Sequence, residues 1–295
     1  MNDLLHTRGL AKSYGDFSLR DVDLTVPDGA VVGLVGSNGA GKTTVIKSLL
    51  GLVRPDAGTI ELLGLDVTRA DANAAAAVRQ KVGVVFDTCA FPAALSVRDV
   101  RAVMHAVYSG WDTSVFDRYA ELFGLPLTKK VSKLSRGMGM KLSLACALSH
   151  GARLLVLDEA TAGLDPLARD EVLGILRTYM EEDGRGILMA THITTDLERM
   201  ADYVVCIDGG RVVFALEKDR ITEDAGVARC RSSEFDAIAA SGLFAAGELR
   251  FMRGAYGVDV LVPDRAAFAR AFPSVALDRA SIEDYMVLTI KGEQR

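Results

Sequence analysis

The residues with the clearest chemical capacity stand in one short run, Gly36-Ser37-Asn38-Gly39-Ala40-Gly41-Lys42-Thr43. It fits the spacing G-x-x-x-x-G-K-[ST], the P-loop pattern. Its glycines let successive backbone N–H groups wrap one anion without side-chain collision, and a helix opening at Lys42 aims its positive end at the same place. The anion this cradle suits is a phosphate chain. Lys42 reaches the β- and γ-phosphates, the Thr43 hydroxyl is placed to ligate Mg²⁺, and Thr44 sits beside it in the first helical turn. The pattern is short enough to arise by chance, so it needs a strand before it and a helix after it.

Downstream, the apolar run Leu154-Leu155-Val156-Leu157 ends in Asp158 and Glu159. Taken alone, two acids after an apolar strand more often mark its entry into solvent. After a phosphate loop they gain a second reading: Asp158 holds Mg²⁺ through water, and Glu159 orients or deprotonates the water that attacks a γ-phosphate. Between the two motifs stands Leu134-Ser135-Arg136-Gly137-Met138, followed by a helical run. With these residues the chain resembles the nucleotide-binding subunits of ABC transporters, whose signature LSGGQ opens a helix before the acidic strand.

The resemblance spans about residues 4–215 and implies ATP and Mg²⁺ as ligands. It implies that Ser135 and the N–H groups near Gly137 bind the γ-phosphate of ATP held by a second copy of the chain, in a head-to-tail homodimer. Tyr14 falls where the family stacks an aromatic ring on adenine, the alternative being a core tyrosine. Asp165 ends Ala162-Gly163-Leu164-Asp165, which matches the family's loop that crosses to the facing subunit. His192 matches the histidine that touches the γ-phosphate and the catalytic acid Glu159. Several positions depart from the commonest family form: Arg136 and Met138 in the signature, Ala160 in place of Pro, and Asp87 in place of the Gln that ligates Mg²⁺. At Asp87 a carboxylate still offers oxygen to the metal, but adds negative charge near the γ-phosphate. The ending SIEDYMVLTIKGE resembles ATPase subunits that pair with separately encoded export permeases for drugs or peptide antibiotics.

The elements needed to position these residues are legible in the periodicity. Residues 3–27 alternate as two antiparallel strands turning at Gly15-Asp16, and residues 30–36 form a continuous apolar strand buried on both faces. Further strands are expected at residues 82–86, 154–158 and 186–192, with a hairpin over 204–214 turning at Gly209-Gly210. Residues 96–150 show helical spacing and read as an inserted helical subdomain. The fold class is α/β: a P-loop NTPase core with an antiparallel β subdomain and an inserted helical subdomain. The ATPase domain is expected over residues 1–221, and a small C-terminal α/β appendage over 222–295. For the appendage, packing on the main domain is the default, with regulation or dimer contact as alternatives.

At 295 residues, with 49% hydrophobic and 25% charged residues, the composition is that of an ordinary globular chain. No run reaches the roughly 18 apolar residues of a spanning helix. A cytoplasmic protein held at the inner face of the membrane by a permease is expected. The net charge of -5 argues against a nucleic-acid partner. The widely spaced Cys89, Cys146, Cys206 and Cys230 suggest neither a disulfide framework nor a metal site. Two rival readings remain: a soluble ABC ATPase acting on ribosomes, DNA or metal-cluster assembly, and a nucleotide-sensing regulator.

Overall fold

The computed structural model describes residues 3–245 and 247–295. The chain opens with a long hairpin, β1 (Asp3–Tyr14) and β2 (Phe17–Pro27), turning at Gly15 and Asp16 as its alternation predicts. β3 (Val31–Val35) and α1 (Lys42–Leu49) flank the Gly-rich loop. There follow β4 (Ala57–Leu62), β5 (Leu65–Asp66), α2 (Ala72–Arg79) and β6 (Val82–Val85). β4 pairs with β1 and β5 with β4, extending the hairpin into a four-stranded antiparallel sheet. The periodicity gives no warning of β4 and β5: both are short, β4 takes its order from β1 some fifty residues away in sequence, and the two-residue β5 only adds to β4.

The helical interval holds α3 (Val97–Val107), α4 (Thr113–Leu122) and α5 (Arg136–Leu148). Beyond it come β7 (Leu154–Asp158), α6 (Pro166–Met180), β8 (Gly186–Ala190), α7 (Thr194–Met200), β9 (Tyr203–Asp208) and β10 (Arg211–Glu217). The main sheet has the order β10-β9-β3-β8-β7-β6 and is parallel except for β10. Its central strands have two inner faces, which explains their unbroken apolar sequence. On β3, Val31 and Val35 join the core beneath α5, α6 and the helical interval, while Val32 and Leu34 join the core shared with α1 and the antiparallel sheet. β7 divides in the same way, Leu155 and Leu157 to one side, Leu154 and Val156 to the other.

The C-terminal part builds a third sheet from β11 (Gly226–Cys230), α8 (Ser232–Ala239), β12 (Arg250–Arg253), β13 (Val258–Val262), α9 (Arg265–Ala271) and β14 (Ala276–Arg279). The order β14-β11-β13-β12, antiparallel throughout, is the split βαβ arrangement. Phe235 of α8 and Phe268 of α9 fill one face. The other face takes Leu288 of α10 (Ile282–Lys291), and β15 (Glu293–Gln294) then adds to the edge at β12.

The same α10 reaches the main domain. Ile282 is fully buried in the core that includes Leu197 of α7, its N–H donates to Glu198 Oε1 at 3.0 Å, and Tyr285 meets Phe214 edge-on at 5.1 Å. Packing on the main domain, the default expected for the tail, is thus observed at α10. Deleting a buried side chain here leaves a cavity between two sheets, so Ile282→Ala is expected to lower unfolding free energy by about 2–4 kcal/mol. Urea unfolding followed by circular dichroism checks this.

Candidate functional site

Three strand ends meet at one edge of the main sheet. Register pairs Leu34 of β3 with Ala190 of β8, and Ala190 with Asp158 of β7. The segments that follow, the Gly-rich loop, Thr191-His192 and Glu159, therefore emerge side by side. Backbone bonds lock them: Glu159 N–H donates to Ala190 O at 2.9 Å and Thr191 N–H to Leu34 O at 3.3 Å.

The loop needs glycine for reasons of space. A Cβ on Gly36 would lie 2.1 Å from the Ile207 carbonyl oxygen, and one on Gly41 would lie 2.6 Å from Leu19 Cδ2. Gly39 and Gly41 also adopt φ of +82° and +117°. Ser37 Oγ donates to Asp208 Oδ1 at 2.8 Å, and Ala40 N–H closes the loop onto Ser37 O at 3.1 Å. Lys42 is buried, its Nζ donating to the carbonyls of Gly36 at 2.8 Å and Ser37 at 3.2 Å. Asn38 is exposed at the loop's crown. Thr44 lies in the first turn of α1, its carbonyl accepting from Ser48 Oγ at 2.9 Å.

Thr43 Oγ1 donates to Asp158 Oδ2 at 3.2 Å. Burial pushes the Asp158 carboxyl above the usual range; the Thr43 hydroxyl pulls it back, the Glu159 and Asp87 carboxylates push it further up, and Lys42 lowers it. Asp87 itself is exposed on the loop after β6, close enough for its charge to be felt at Asp158.

Glu159 stands at φ +55°, left-handed for a residue with a side chain, a strain of about 1–3 kcal/mol that concentrates at functional positions. Its Oε2 lies 2.7 Å from His192 Nδ1 and 3.4 Å from Thr191 Oγ1. Tyr14 is 44% exposed, so it is not a core residue. Its cross-strand partner is Phe17, whose ring tip is 3.0 Å from where a Cβ on Gly41 would stand, so the hairpin end lies beside the loop.

The remaining candidates form a second group. Ser135 caps α5, its hydroxyl accepting from Met138 N–H at 3.2 Å. A Cβ on Gly137 would stand 3.2 Å from Leu164 Cδ2, and the Arg136 guanidinium rests against Gly163. Asp165 caps α6, accepting from Ala168 N–H at 3.0 Å and Leu167 N–H at 3.1 Å. These backbone donors, Ala168 foremost, hold its carboxyl below the usual range. Among the described residues no hydrogen bond joins this second group to the Gly-rich loop of the same chain.

Thr161 and Asp196, which no motif marks, connect the acidic strand end to α7. Both are buried, and Thr161 Oγ1 donates to Asp196 Oδ2 at 2.6 Å. The four cysteines are free, and burial pushes the Cys206 thiol up to about 12, which leaves it unreactive at neutral pH.

Residues 19–162 match the family model described as ABC transporter. A bacitracin transport ATP-binding protein of Bacillus licheniformis is 32% identical over 224 residues, covering 75% of this chain and 72% of that protein. A Nod factor export ATP-binding protein of Burkholderia orbicola is 37% identical over 217 residues, covering 70% and 68%. A solved structure of an ATP-binding subunit of an ABC transporter superposes with a TM-score of 0.67 at 30% identity, covering 74% of this chain and 91% of that one.

The raised position of Asp158 carries a pH signature. A carboxyl whose folded-state pKa lies above its unfolded value binds more protons when folded, so stability falls as pH rises through that pKa. Asp158→Asn removes the burial cost of the ion. The nucleotide-free variant is expected to melt above wild type at neutral pH, with the difference shrinking as pH falls towards the ordinary carboxylate range. Thermal denaturation across pH measures this; a difference independent of pH would refute it.

Proposed function

The chain belongs to the ABC transporter family as an ATP-hydrolysing subunit, and from that membership we propose that it drives an exporter as a head-to-tail homodimer beneath a separately encoded permease. The observation that carries the dimer is the division of the site. Lys42, Thr43, Asp158, Glu159 and His192 gather at one place, while Ser135, Gly137 and Asp165 lie apart from them at the starts of α5 and α6. Two copies arranged head to tail place the positive N-terminus of α5 from each against the phosphates held by the other. Export is supported by the similarity to transport and export ATPases and by the resemblance of the last segment to that branch. No described helix is long and apolar enough to cross a membrane; the chain is assigned to the cytoplasmic face, held there through the permease. Residues 1–221 are assigned to the ATPase domain and 222–295 to an accessory domain.

The site suits Mg²⁺. The Thr43 hydroxyl and the Asp158 carboxylate already adjoin. Among the described residues no three His, Cys, Asp or Glu converge as a cage, as expected where phosphate oxygens supply most of the coordination. Thr43, Asp87 and Asp158 would hold the ion, directly or through water, and it supplies neutralisation of phosphate charge. Backbone N–H groups of residues 36–43 and the Lys42 ammonium bind the β- and γ-phosphates, and Tyr14 stacks on adenine. Glu159 orients a water and takes its proton as the oxygen attacks the γ-phosphorus. The bond from phosphorus to the β-bridging oxygen breaks, its electron pair leaving with ADP. His192 positions Glu159 through the 2.7 Å contact and reaches the γ-phosphate. ATP binds the closed dimer more tightly than the open one, and that difference is the work available to the permease.

Glu159→Gln is expected to lower ATP turnover by at least about 100-fold and to trap an ATP-bound dimer visible by light scattering. Turnover equal to wild type would remove Glu159 from the mechanism. For Asp87→Gln, the Mg²⁺ concentration giving half-maximal ATPase is expected to shift. Activity unchanged across the whole titration would show that Asp87 does not serve the metal. Co-purification separates the readings of partner: a permease supports the transporter, whereas ribosomes or DNA would replace it.

A further inference from the structure

Two departures from the common family sequence, Asp87 and Arg136, carry opposite charges, and they lie in the two separate halves of the site. On the phosphate half, the charges of Glu159, Asp87 and the buried Lys42 are all felt at Asp158, so three carboxylates share the neighbourhood with one ammonium. A triphosphate arriving there adds further negative charge, which Mg²⁺ offsets only in part. A carboxylate at position 87 in place of an amide therefore repels the γ-phosphate unless a cation comes from elsewhere.

Arg136 is the first residue of α5, a helix of 13 residues with no acid in its first turn. Its positive charge opposes the helix dipole at that end, an unfavourable placement for the helix by itself. It is exposed, and among the described residues it has no carboxylate within ion-pair distance and donates no hydrogen bond to the protein. Its guanidinium instead rests against Gly163: a Cβ there would be 3.2 Å from Nη1 and 3.4 Å from Cζ. The φ of +78° at Gly163 disfavours any side chain at that position, so the space Arg136 occupies stays open. The cation is thus held unspent beside Ser135 and Gly137, in the half of the site that the dimer presents to the other copy.

We propose that Arg136 is a cross-subunit phosphate ligand: in the ATP-bound dimer the guanidinium of one copy leaves Gly163 and binds the γ-phosphate held by the other, balancing the charge that Asp87 adds. This rests on the head-to-tail reading above. A guanidinium reaching a terminal phosphate makes charge-assisted hydrogen bonds that ADP cannot supply in the same place, so Arg136 favours closure on ATP over closure on ADP.

The test uses the full chain in the Glu159→Gln background, with ATP-driven dimerisation measured by sedimentation. Arg136→Ala is expected to weaken the dimer by about tenfold or more, and Arg136→Lys to retain most of the affinity. The loss should be smaller when Asp87→Gln is also present, because the two charges act on the same phosphate. Circular dichroism and binding of a fluorescent ATP analogue confirm that each monomer is folded. Dimerisation unchanged by Arg136→Ala overturns the proposal and leaves the head-to-tail reading standing. An equal loss whatever residue occupies position 87, with no rescue by lysine, also overturns it and marks Arg136 as a support for the Gly163 loop. If the Glu159→Gln parent does not dimerise on ATP, the head-to-tail reading fails and the proposal falls with it.

Discussion

Leu34, Ala190 and Asp158 lie on one register line across three parallel strands, and the Gly-rich loop, Glu159 and Thr191-His192 all start within one or two residues of that line. A slip of a single residue on any of these strands would move its apolar side chains to the wrong core, because successive residues serve opposite faces. The register is therefore enforced by both cores at once. Val156 and Leu188 go to the antiparallel side, Leu157 and Met189 to the helical side. The precision needed to set Thr43 against Asp158, and Glu159 against His192, comes from this packing together with the backbone bonds at the strand ends.

Beyond the strand ends the chain departs from comfortable geometry. Glu159 takes a left-handed φ, and Gly36 presses against the Ile207 carbonyl with no room for a methyl group. Asp158 is buried with a carboxyl that its neighbours push above the usual range. Each is a local cost tolerated because the strands beneath are over-determined. Together they leave a site shaped for an anion, with Lys42 meanwhile engaged by loop carbonyls.

The parts legible in the sequence are those whose signal is local. β3 and β7 announce themselves because burial on both faces demands unbroken apolar runs, and the Gly-rich loop because its spacing is fixed by phosphate geometry. The antiparallel hairpin and its Gly15 turn follow from alternation. What stays hidden is set by distant partners. β4 exists because Leu62 meets Leu5 and Glu61 meets His6. α7, seven residues of mostly polar sequence, is too short to be helical alone and is held by Leu197 in the core and by the buried Thr161–Asp196 bond. The edge strands β14 and β15 lack a pattern long enough to read. The docking of α10 depends on Ile282 finding a core built by residues sixty or more positions earlier. Of the candidate site, the residues proposed to act are marked by motif, whereas Thr161, Asp196 and Asp208, which hold neighbouring segments in place, carry no local mark.

The division of charge explains why such a site would turn binding into motion. On the proposed reading, a half-site with excess carboxylate holds ATP only as well as Lys42 and the loop amides allow. In the head-to-tail dimer proposed above, the complementary donors stand on α5 of the other molecule, beside a loop whose end is fixed by Asp165. Closure is then favourable when a γ-phosphate is present to join the halves, and loses that support when hydrolysis separates the phosphate from ADP. A site complete within one chain would bind ATP tightly with no need to move. Incompleteness in each copy is what makes the closed state conditional on the nucleotide, and by linkage whatever is fixed to the two copies shares that condition.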